Sequence, residues 1–419
     1  MDKIRITGGV PLAGRVVIGG AKNAALPAMT AALLTPETVE LENFPCVQDI
    51  FTTRRLLAAL GVETEIDATA AKVRLRAETL TSREAPYELV KTMRASILVL
   101  GPLVARFGFA RVSLPGGCAI GARPVNLHLM GLEKMGAKCD LIHGYVEASC
   151  RRLHGARILM DTVTVTGTEN LMMAACLAQG ESVLDNAACE PEIVDLAELL
   201  RGMGARIEGE GTRTIRIRGV DGLHGGRHRI IPDRIEAGTF ATAAALTRGD
   251  VVVEHCRPDH MAALLEQLAR TGADVQIQAP DKVRVHGCNP IRSQDVTTLP
   301  YPGFATDMQA QYMALMTQGD GTAVITETIF ENRFMHAQEM VRMGAEISID
   351  GRRAVVKGGK ALNGAKVLAS DLRASASLIL AGLVAQGETV VDRVYHLDRG
   401  YDHIETKLAG LGAIIERFK

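Results

Sequence analysis

One motif recurs six times along this chain and limits the folds open to it. Helical patterns end at Leu60-Gly61-Val62, Met135-Gly136-Ala137, Met203-Gly204-Ala205, Thr271-Gly272-Ala273, Met343-Gly344-Ala345 and Leu411-Gly412-Ala413. The glycines stand 75, 68, 68, 72 and 68 residues apart. A glycine just past a helix takes the left-handed conformation that other residues resist, so each one marks a helix C-terminus. Each is followed by an alternating run, such as Lys138-Cys-Asp-Leu-Ile, Arg206-Ile-Glu or Glu346-Ile-Ser-Ile, which predicts a strand.

The order upstream of each glycine also recurs. An Ala-, Leu- and Met-rich helix comes first, as from Asn23 to Leu34, and its apolar faces predict burial nearly all round. A short strand such as Ser182-Val-Leu-Asp or Thr389-Val-Val-Asp follows, then a second helix with a polar face, as from Ile193 to Leu200. The chain is therefore expected to be an α/β protein of six βαβαβ-like modules. The period is too long for a common helical solenoid.

Charge and cysteine usage narrow the function classes. Lys and Arg number 47 against 48 Asp and Glu, a net charge of −1, so no global basic field holds nucleic acid. Any anion must be gripped locally. The apolar stretches are short and interrupted, so no membrane insertion is expected, and the amino terminus has no apolar signal core. A cytoplasmic location is expected. The eight cysteines (46, 118, 139, 150, 176, 189, 256 and 288) form no Cys-x-x-Cys pair or Cys/His cluster. A structural metal is therefore not expected, and the thiols should be reduced.

Two features carry chemistry. In Ser113-Leu-Pro-Gly-Gly-Cys118-Ala-Ile-Gly-Ala-Arg123-Pro124 a thiol sits among glycines, with a guanidinium nearby and prolines at both flanks. Such a loop can present its cysteine, and the arginine can bind an anion and influence the thiol. A tight surface turn with an incidental cysteine is the alternative. No Cys/His dyad is evident nearby, which disfavours a cysteine hydrolase or thiol redox enzyme.

The second feature is a set of polar residues where the buried helices begin: Lys22-Asn23, Lys91 with Arg94, Glu169-Asn170, Asp233-Arg234, Asp307, and Asp371 with Arg373. Helix capping accounts for Asp307 and Asp371. It does not account for Lys22, Arg94 or Arg373, because a cation is disfavoured at that end of a helix. Spacing alone leaves anion binding and solvated surface charge both open.

Longer motifs resolve the choice. Gly19-Gly-Ala-Lys22-Asn23-Ala-Ala-Leu-Pro, Lys91-Thr-Met-Arg94-Ala-Ser, Leu114-Pro-Gly-Gly-Cys118-Ala-Ile-Gly-Ala-Arg123-Pro and Glu190-Pro-Glu-Ile-Val-Asp resemble the bacterial UDP-N-acetylglucosamine 1-carboxyvinyltransferase family of enolpyruvyl transferases. Pro302-Gly-Phe-Ala-Thr-Asp307, Glu331-Asn-Arg333-Phe, Ser370-Asp371-Leu-Arg373 and Asp398-Arg399-Gly-Tyr401 continue the resemblance along essentially the whole chain.

The resemblance implies a two-lobed inside-out α/β barrel of six βαβαββ repeats, three per lobe, with substrates held between the lobes. One lobe would comprise residues 22–231, the other residues 1–21 plus 232–419. The implied reaction transfers the enolpyruvyl group of phosphoenolpyruvate to the 3-hydroxyl of UDP-N-acetylglucosamine. It passes through a tetrahedral intermediate, releases phosphate and is the first committed step of peptidoglycan synthesis. No metal or other cofactor is implied. The related 5-enolpyruvylshikimate-3-phosphate synthase transfers the same group to shikimate 3-phosphate, and the Pro-Gly-Gly-Cys loop argues against that acceptor here.

Residue roles also follow from the resemblance. Lys22, Asn23, Arg123 and Arg399 would contact phosphoenolpyruvate, where guanidinium forks suit carboxylate and phosphate. Lys22 and Arg399 would share in catalysis. The nucleotide sugar would be met by Arg94, by Arg123, Pro124, Val125, Asn126 and Leu127, by Thr162, Val163, Thr164 and Val165, and by Asp307 and Ile329. Asn126 stands where relatives commonly carry aspartate, and Val165-Thr-Gly-Thr-Glu-Asn is a variant of a shorter run. Asp307 would be the general base, strengthened by desolvation on closure. Arg333, Asp371 and Arg373 would support the same lobe. Cys118 would donate a proton to the methylene carbon and would be the site of a covalent adduct with fosfomycin.

Overall fold

The structure is a computed structural model that describes residues 2–114 and 125–419. Cys118, Arg123 and Pro124 lie outside the described residues. All six repeat glycines take positive φ, +101° at Gly61, +92° at Gly136, +102° at Gly204, +100° at Gly272, and +96° at both Gly344 and Gly412. The left-handed turn that each position requires explains why glycine recurs there.

Each repeat builds one four-stranded sheet, and the described residues form six. In one repeat, strand Arg157–Leu159 leads through helix Val165–Ala175 to strand Glu181–Asp185. Helix Pro191–Gly202 follows, then a hairpin of Arg206–Glu208 with Thr214–Arg218. The first two strands pair in parallel, with Arg157 opposite Val183. The hairpin's return strand then inserts antiparallel between the second and third strands, with Arg218 opposite both Glu181 and Arg206. The module is thus βαβαββ, one strand longer than the five-element pattern, because the run after each glycine turns back on itself.

Burial places the layers. Strand Thr214–Arg218 buries Ile215 and Ile217 while Arg216 and Arg218 face solvent. The first helix of the same repeat is buried continuously from Gly167 to Ala175. Helices Lys22–Ala31, Arg234–Leu246, Gln309–Met316 and Leu372–Val384 are likewise almost wholly buried. An α-helix apolar on every side needs neighbours on every side. The first helices therefore lie inside and the half-exposed sheets outside.

The chain divides into two compact units, one holding residues 2–19 with Pro232–Lys419 and the other residues 20–114 with 125–231. Each has its own apolar core. Both are circularly permuted. Strand Lys3–Thr7 is the return strand of the last repeat, with Ile4 opposite Val391 and Lys3 opposite Phe418. Strand Ala13–Val17 pairs in parallel with Asp250–Glu254, so it opens a repeat whose inner helix, Arg234–Leu246, follows only after the whole other unit. Gly226–Arg229 similarly pairs with Thr38–Glu42 and completes the first sheet of its unit. The chain consequently crosses between units twice.

One crossing needs its glycine. A Cβ on Gly20 would stand 1.7 Å from the Asn43 carbonyl oxygen, and Asn43 in turn donates from Nδ2 to the Ile230 carbonyl at 2.8 Å. This pins the start of helix Lys22–Ala31 to the end of its own unit, which matters because Lys22 is its first residue.

Candidate active site

In the unit that holds Asp307, three inner helices present their amino-terminal ends with polar side chains. Asp233 and Asp371 are N-caps. Asp233 accepts from the amides of Ile235 and Glu236 at 2.8 and 3.0 Å, and Asp371 accepts from those of Arg373 and Ala374 at 2.9 and 3.1 Å.

Asp307 is not a cap. It lies within the 3-10 turn Thr306–Met308, and its carboxylate is held by two guanidiniums. Arg373 reaches Oδ2 through Nη2 at 2.7 Å and Nε at 3.1 Å, and Arg333 reaches Oδ1 through Nη2 at 2.7 Å. Both arginine side chains are about 5% exposed, whereas that of Asp307 retains 25%. The carboxylate is the accessible member of the trio.

Electrostatics fix its state. Burial pushes the Asp307 carboxyl up, but the charges of Arg373 and Arg333 outweigh this and hold it well below the ordinary carboxylate range. The two guanidiniums thus act against the strengthening that burial alone gives this base. Arg373 is likewise no unpaired cation at a helix start, since Asp307 is its partner.

Further shells fix the guanidiniums. Arg373 Nη1 donates to the Tyr401 hydroxyl at 3.3 Å, and Tyr401 meets Thr239 Oγ1 at 2.8 Å. Gln311 Nε2 donates to the Asp307 carbonyl at 3.0 Å. Arg333 Nη1 is buried without a hydrogen-bond partner among the described residues. Arg399 ends the 3-10 helix Val394–Arg399, two residues before Tyr401.

Fully buried Glu327 was missed in the sequence. Its carboxylate accepts from the hydroxyls of Thr298 and Thr306, each at 2.8 Å, and from the Ile329 and Phe330 amides at 2.8 and 3.2 Å. It thereby ties the residue before Asp307 to the segment that carries Ile329. A lone glutamate after an alternating strand gives no sequence signal of this.

In the other unit, Lys22 is 9% exposed and its Nζ lies 3.0 Å from Asp49 Oδ2. Asp49, itself 4% exposed, stands in the first turn of helix Gln48–Leu60. Lys22 is thus also no unpaired cation, and Asp49 is the partner that sequence spacing did not reveal. Asn23 follows half-buried. Lys91 pairs with Glu88 on the surface.

The expected nucleotide segments sit at two neighbouring helix starts. Helix Asn126–Lys134 begins after Val125, with Asn126 exposed and Leu127 buried. Thr164 caps helix Val165–Ala175 by accepting from the Gly167 amide at 3.1 Å, and Thr162 and Val163 precede it. Arg94 opens the 3-10 helix Arg94–Val99, and its charge contributes to a depressed pKa at His128. Glu169 and Asn170 lie inside the Val165–Ala175 helix, not at its start. Cys176 is a core thiol, as its setting implies. Burial pushes it up to about 12, and its Sγ donates to the Met172 carbonyl at 3.2 Å.

Known proteins match the chain in sequence and in fold. The sequence profile of EPSP synthase (3-phosphoshikimate 1-carboxyvinyltransferase) matches residues 6–408. A relative from Solibacter usitatus named UDP-N-acetylglucosamine 1-carboxyvinyltransferase is 63% identical over 100% of both chains. A relative of the same name from Koribacter versatilis is 62% identical over 100% of this chain and 96% of its own. The crystal structure of the enolpyruvyl transferase NikO from Streptomyces tendae superposes with a TM-score of 0.89 at 26% identity, covering 99% and 98% of the two chains. An EPSP synthase from Acinetobacter baumannii shares the fold at TM-score 0.77 and 18% identity, over 100% of both chains. Full-length identity and the shared fold converge: the chain belongs to the UDP-N-acetylglucosamine 1-carboxyvinyltransferase family of enolpyruvyl transferases, within the larger EPSP synthase family.

Proposed function

We propose that this protein transfers the enolpyruvyl group of phosphoenolpyruvate to the 3-hydroxyl of UDP-N-acetylglucosamine, releasing phosphate, in the first committed step of peptidoglycan synthesis. The observation that carries the reading is 59–63% identity, across the whole chain, to three relatives of that name. The ionised, partly accessible carboxylate of Asp307 supplies a proton acceptor consistent with it.

The chemistry is an addition followed by an elimination. A proton adds to the methylene carbon of phosphoenolpyruvate as the sugar oxygen bonds to the adjacent carbon, giving a tetrahedral intermediate. A proton of the methyl group so formed then returns to the Cys118 sulfur, the carbon–oxygen bond to phosphate breaks, and the double bond re-forms. Cys118 donates the first proton and Asp307 accepts the hydroxyl proton. A weak base suffices, because protonation of the methylene carbon makes its neighbour electron-poor and the attacking hydroxyl acidic as the bond forms.

Lys22, Asn23, Arg123 and Arg399 hold phosphoenolpyruvate, with Lys22 and Arg399 acting in the chemical step. Arg94, Arg123 to Leu127, Thr162 to Val165 and Ile329 receive the nucleotide sugar. Arg333, Asp371 and Arg373 organise the repeat around Asp307. The lobes follow residues 22–231 and 1–21 plus 232–419. The reaction is cytoplasmic, where both substrates are made; no helix among the described residues is long and apolar enough to cross a membrane.

Phosphate release tests this reading, with UDP-N-acetylglucosamine run beside shikimate 3-phosphate. Release with the nucleotide sugar alone is expected. Release only with shikimate 3-phosphate would replace the acceptor. Fosfomycin should inactivate by its epoxide opening on Cys118, and Cys118→Asp should keep turnover while escaping inactivation, since a carboxyl group carries a proton but is a poorer nucleophile. A Cys118→Asp enzyme as inactive as Cys118→Ala would remove the proton-donor role.

A further inference from the structure

Strand Ile414–Phe418 carries a guanidinium on the face that its partner strand buries. Arg417 stands directly opposite Ile4, which is fully buried, so both side chains point to the inner face of the sheet. A charge turned inward is costly unless it is paired and hydrogen-bonded. Arg417 is paired twice. Its Nη2 and Nη1 donate to Asp398 Oδ1 and Oδ2 at 2.6 and 3.0 Å, a two-pronged fork. Its Nε and Nη2 donate to Glu405 Oε1 and Oε2 at 2.8 and 3.3 Å. Asp2 adds a longer contact at 3.8 Å.

The arrangement joins three elements. Asp398 lies in the 3-10 helix Val394–Arg399, and Glu405 lies in the first turn of the next helix, Ile404–Gly410. The Arg417 side chain is 22% exposed and that of Glu405 10%, so solvent screens their contacts little. Burial pushes the Glu405 carboxyl up, but its hydrogen bonds, those from Arg417 foremost, hold it below the ordinary carboxylate value. An isolated surface ion pair adds little to a fold, whereas a forked pair within a network holds one geometry.

What the fork grips is the residue before Arg399. Leu397 is fully buried, and its carbonyl accepts the amides of Gly400 and Tyr401 at 3.1 and 3.0 Å. A Cβ on Gly400 would stand 2.6 Å from the Leu372 side chain, so the turn lies close against the start of helix Leu372–Val384. Tyr401 is fixed in turn by Thr239 at 2.8 Å. The backbone is thereby held on both sides of Arg399, through Asp398 on one and through Gly400 and Tyr401 on the other. We propose that Arg417 is a positioning residue for the reaction: its fork on Asp398 fixes the backbone from which Arg399 reaches phosphoenolpyruvate. This rests on the assignment of Arg399 to phosphoenolpyruvate above. Arg417 acts through that backbone and touches neither substrate.

Steady-state kinetics and urea unfolding of the full-length enzyme test it. Arg417→Met should raise KM for phosphoenolpyruvate about tenfold, because a small displacement of a binding group is costly, and KM for UDP-N-acetylglucosamine less than about twofold. Asp398→Asn weakens the fork from its other end while Arg417 keeps Glu405, and it should raise the same KM by about threefold or more. Arg417→Lys keeps the charge but cannot fork, so it should fall between the parent and Arg417→Met. If Arg417→Met fails to fold, the other two variants decide. A lowered urea midpoint with both KM values unchanged, or equal rises in both, overturns the proposal and makes the network purely structural. Arg399→Lys, measured alongside, should raise KM for phosphoenolpyruvate at least as much as Arg417→Met. If it does not, Arg399 does not hold phosphoenolpyruvate, and that assignment falls together with the proposal. A defect in Arg399→Lys that the Arg417 and Asp398 variants lack overturns the positioning role alone.

Discussion

Arg373 places two nitrogens on a single oxygen of Asp307, at 2.7 and 3.1 Å, while Arg333 holds the other oxygen at 2.7 Å. The clamp keeps the carboxylate ionised, because two positive charges outweigh the cost of burying one negative charge. A base is active only when deprotonated, and a lowered pKa extends activity toward acid. The acid limb of kcat/KM due to Asp307 should therefore fall below the ordinary carboxylate value of about 4. Arg333→Met removes one of the opposing charges and should move that limb upward by about one pH unit or more. Comparing variant with parent cancels the ionisation of the substrates. Superimposable pH profiles would show that Asp307 is not the titrating base.

Tyr401 determines how well Arg373 is held. The Thr239 hydroxyl donates to the Ile235 carbonyl at 2.8 Å, so Tyr401 must donate to Thr239 at 2.8 Å. The tyrosine oxygen is left to accept from Arg373 Nη1 at 3.3 Å and Gln311 Nε2 at 3.4 Å. Tyr401→Phe strips an acceptor from two buried donors and should cost about 1–3 kcal/mol of stability, measured by urea unfolding. It should also lower kcat by about tenfold with little change in KM, since Asp307 is held through Arg373. A stability loss with kcat intact would make Tyr401 purely structural.

The buried pair Lys22–Asp49 separates stability from function. Removing Lys22 takes a charge partner from the buried Asp49 carboxylate, so Lys22→Met should lower stability in urea unfolding, by up to about 3–5 kcal/mol. Replacing both, as Lys22→Met with Asp49→Leu, should recover much of that loss, because an apolar pair of similar volume is often neutral. Turnover should not return with it. If the double variant regains phosphate release as well as stability, Lys22 has no part in the reaction.

Local physics explains what the sequence disclosed about these sites. The six glycines were legible because a left-handed turn after a helix admits few other residues, and the buried helices because apolar residues ring them. The circular permutation was not legible from periodicity. Strand Lys3–Thr7 finds its partners at the far end of the chain, Val391 and Phe418 among them, and alternation encodes no address. The cations at helix starts stood out as unfavourable, but their carboxylate partners lie 27 positions away for Lys22 and 66 for Arg373. Asp307 resembled a cap because aspartate serves caps and ion pairs equally well; only its setting in a 3-10 turn between two arginines distinguishes them. The Cys118 loop remains an expectation, outside the described residues.

Glu169 offers a prediction that runs opposite in pH to Asp307. It is 1% exposed, its Oε1 has no hydrogen-bond partner among the described residues, and it lies inside helix Val165–Ala175. Burial first, and then the charges of Glu192 and Glu190, raise its pKa well above the ordinary value. The folded protein therefore holds a proton that the unfolded chain releases above about pH 4.3. Stability from this group is complete below that pH and declines as pH rises toward the folded pKa, by up to about 1.4 kcal/mol per pH unit. Glu169→Gln mimics the protonated form without titrating. Relative to the parent, its urea midpoint should rise steadily from about pH 5 to pH 8. A difference that stays constant across that range would mean that Glu169 is ionised in the folded protein and that its charge is met by a partner.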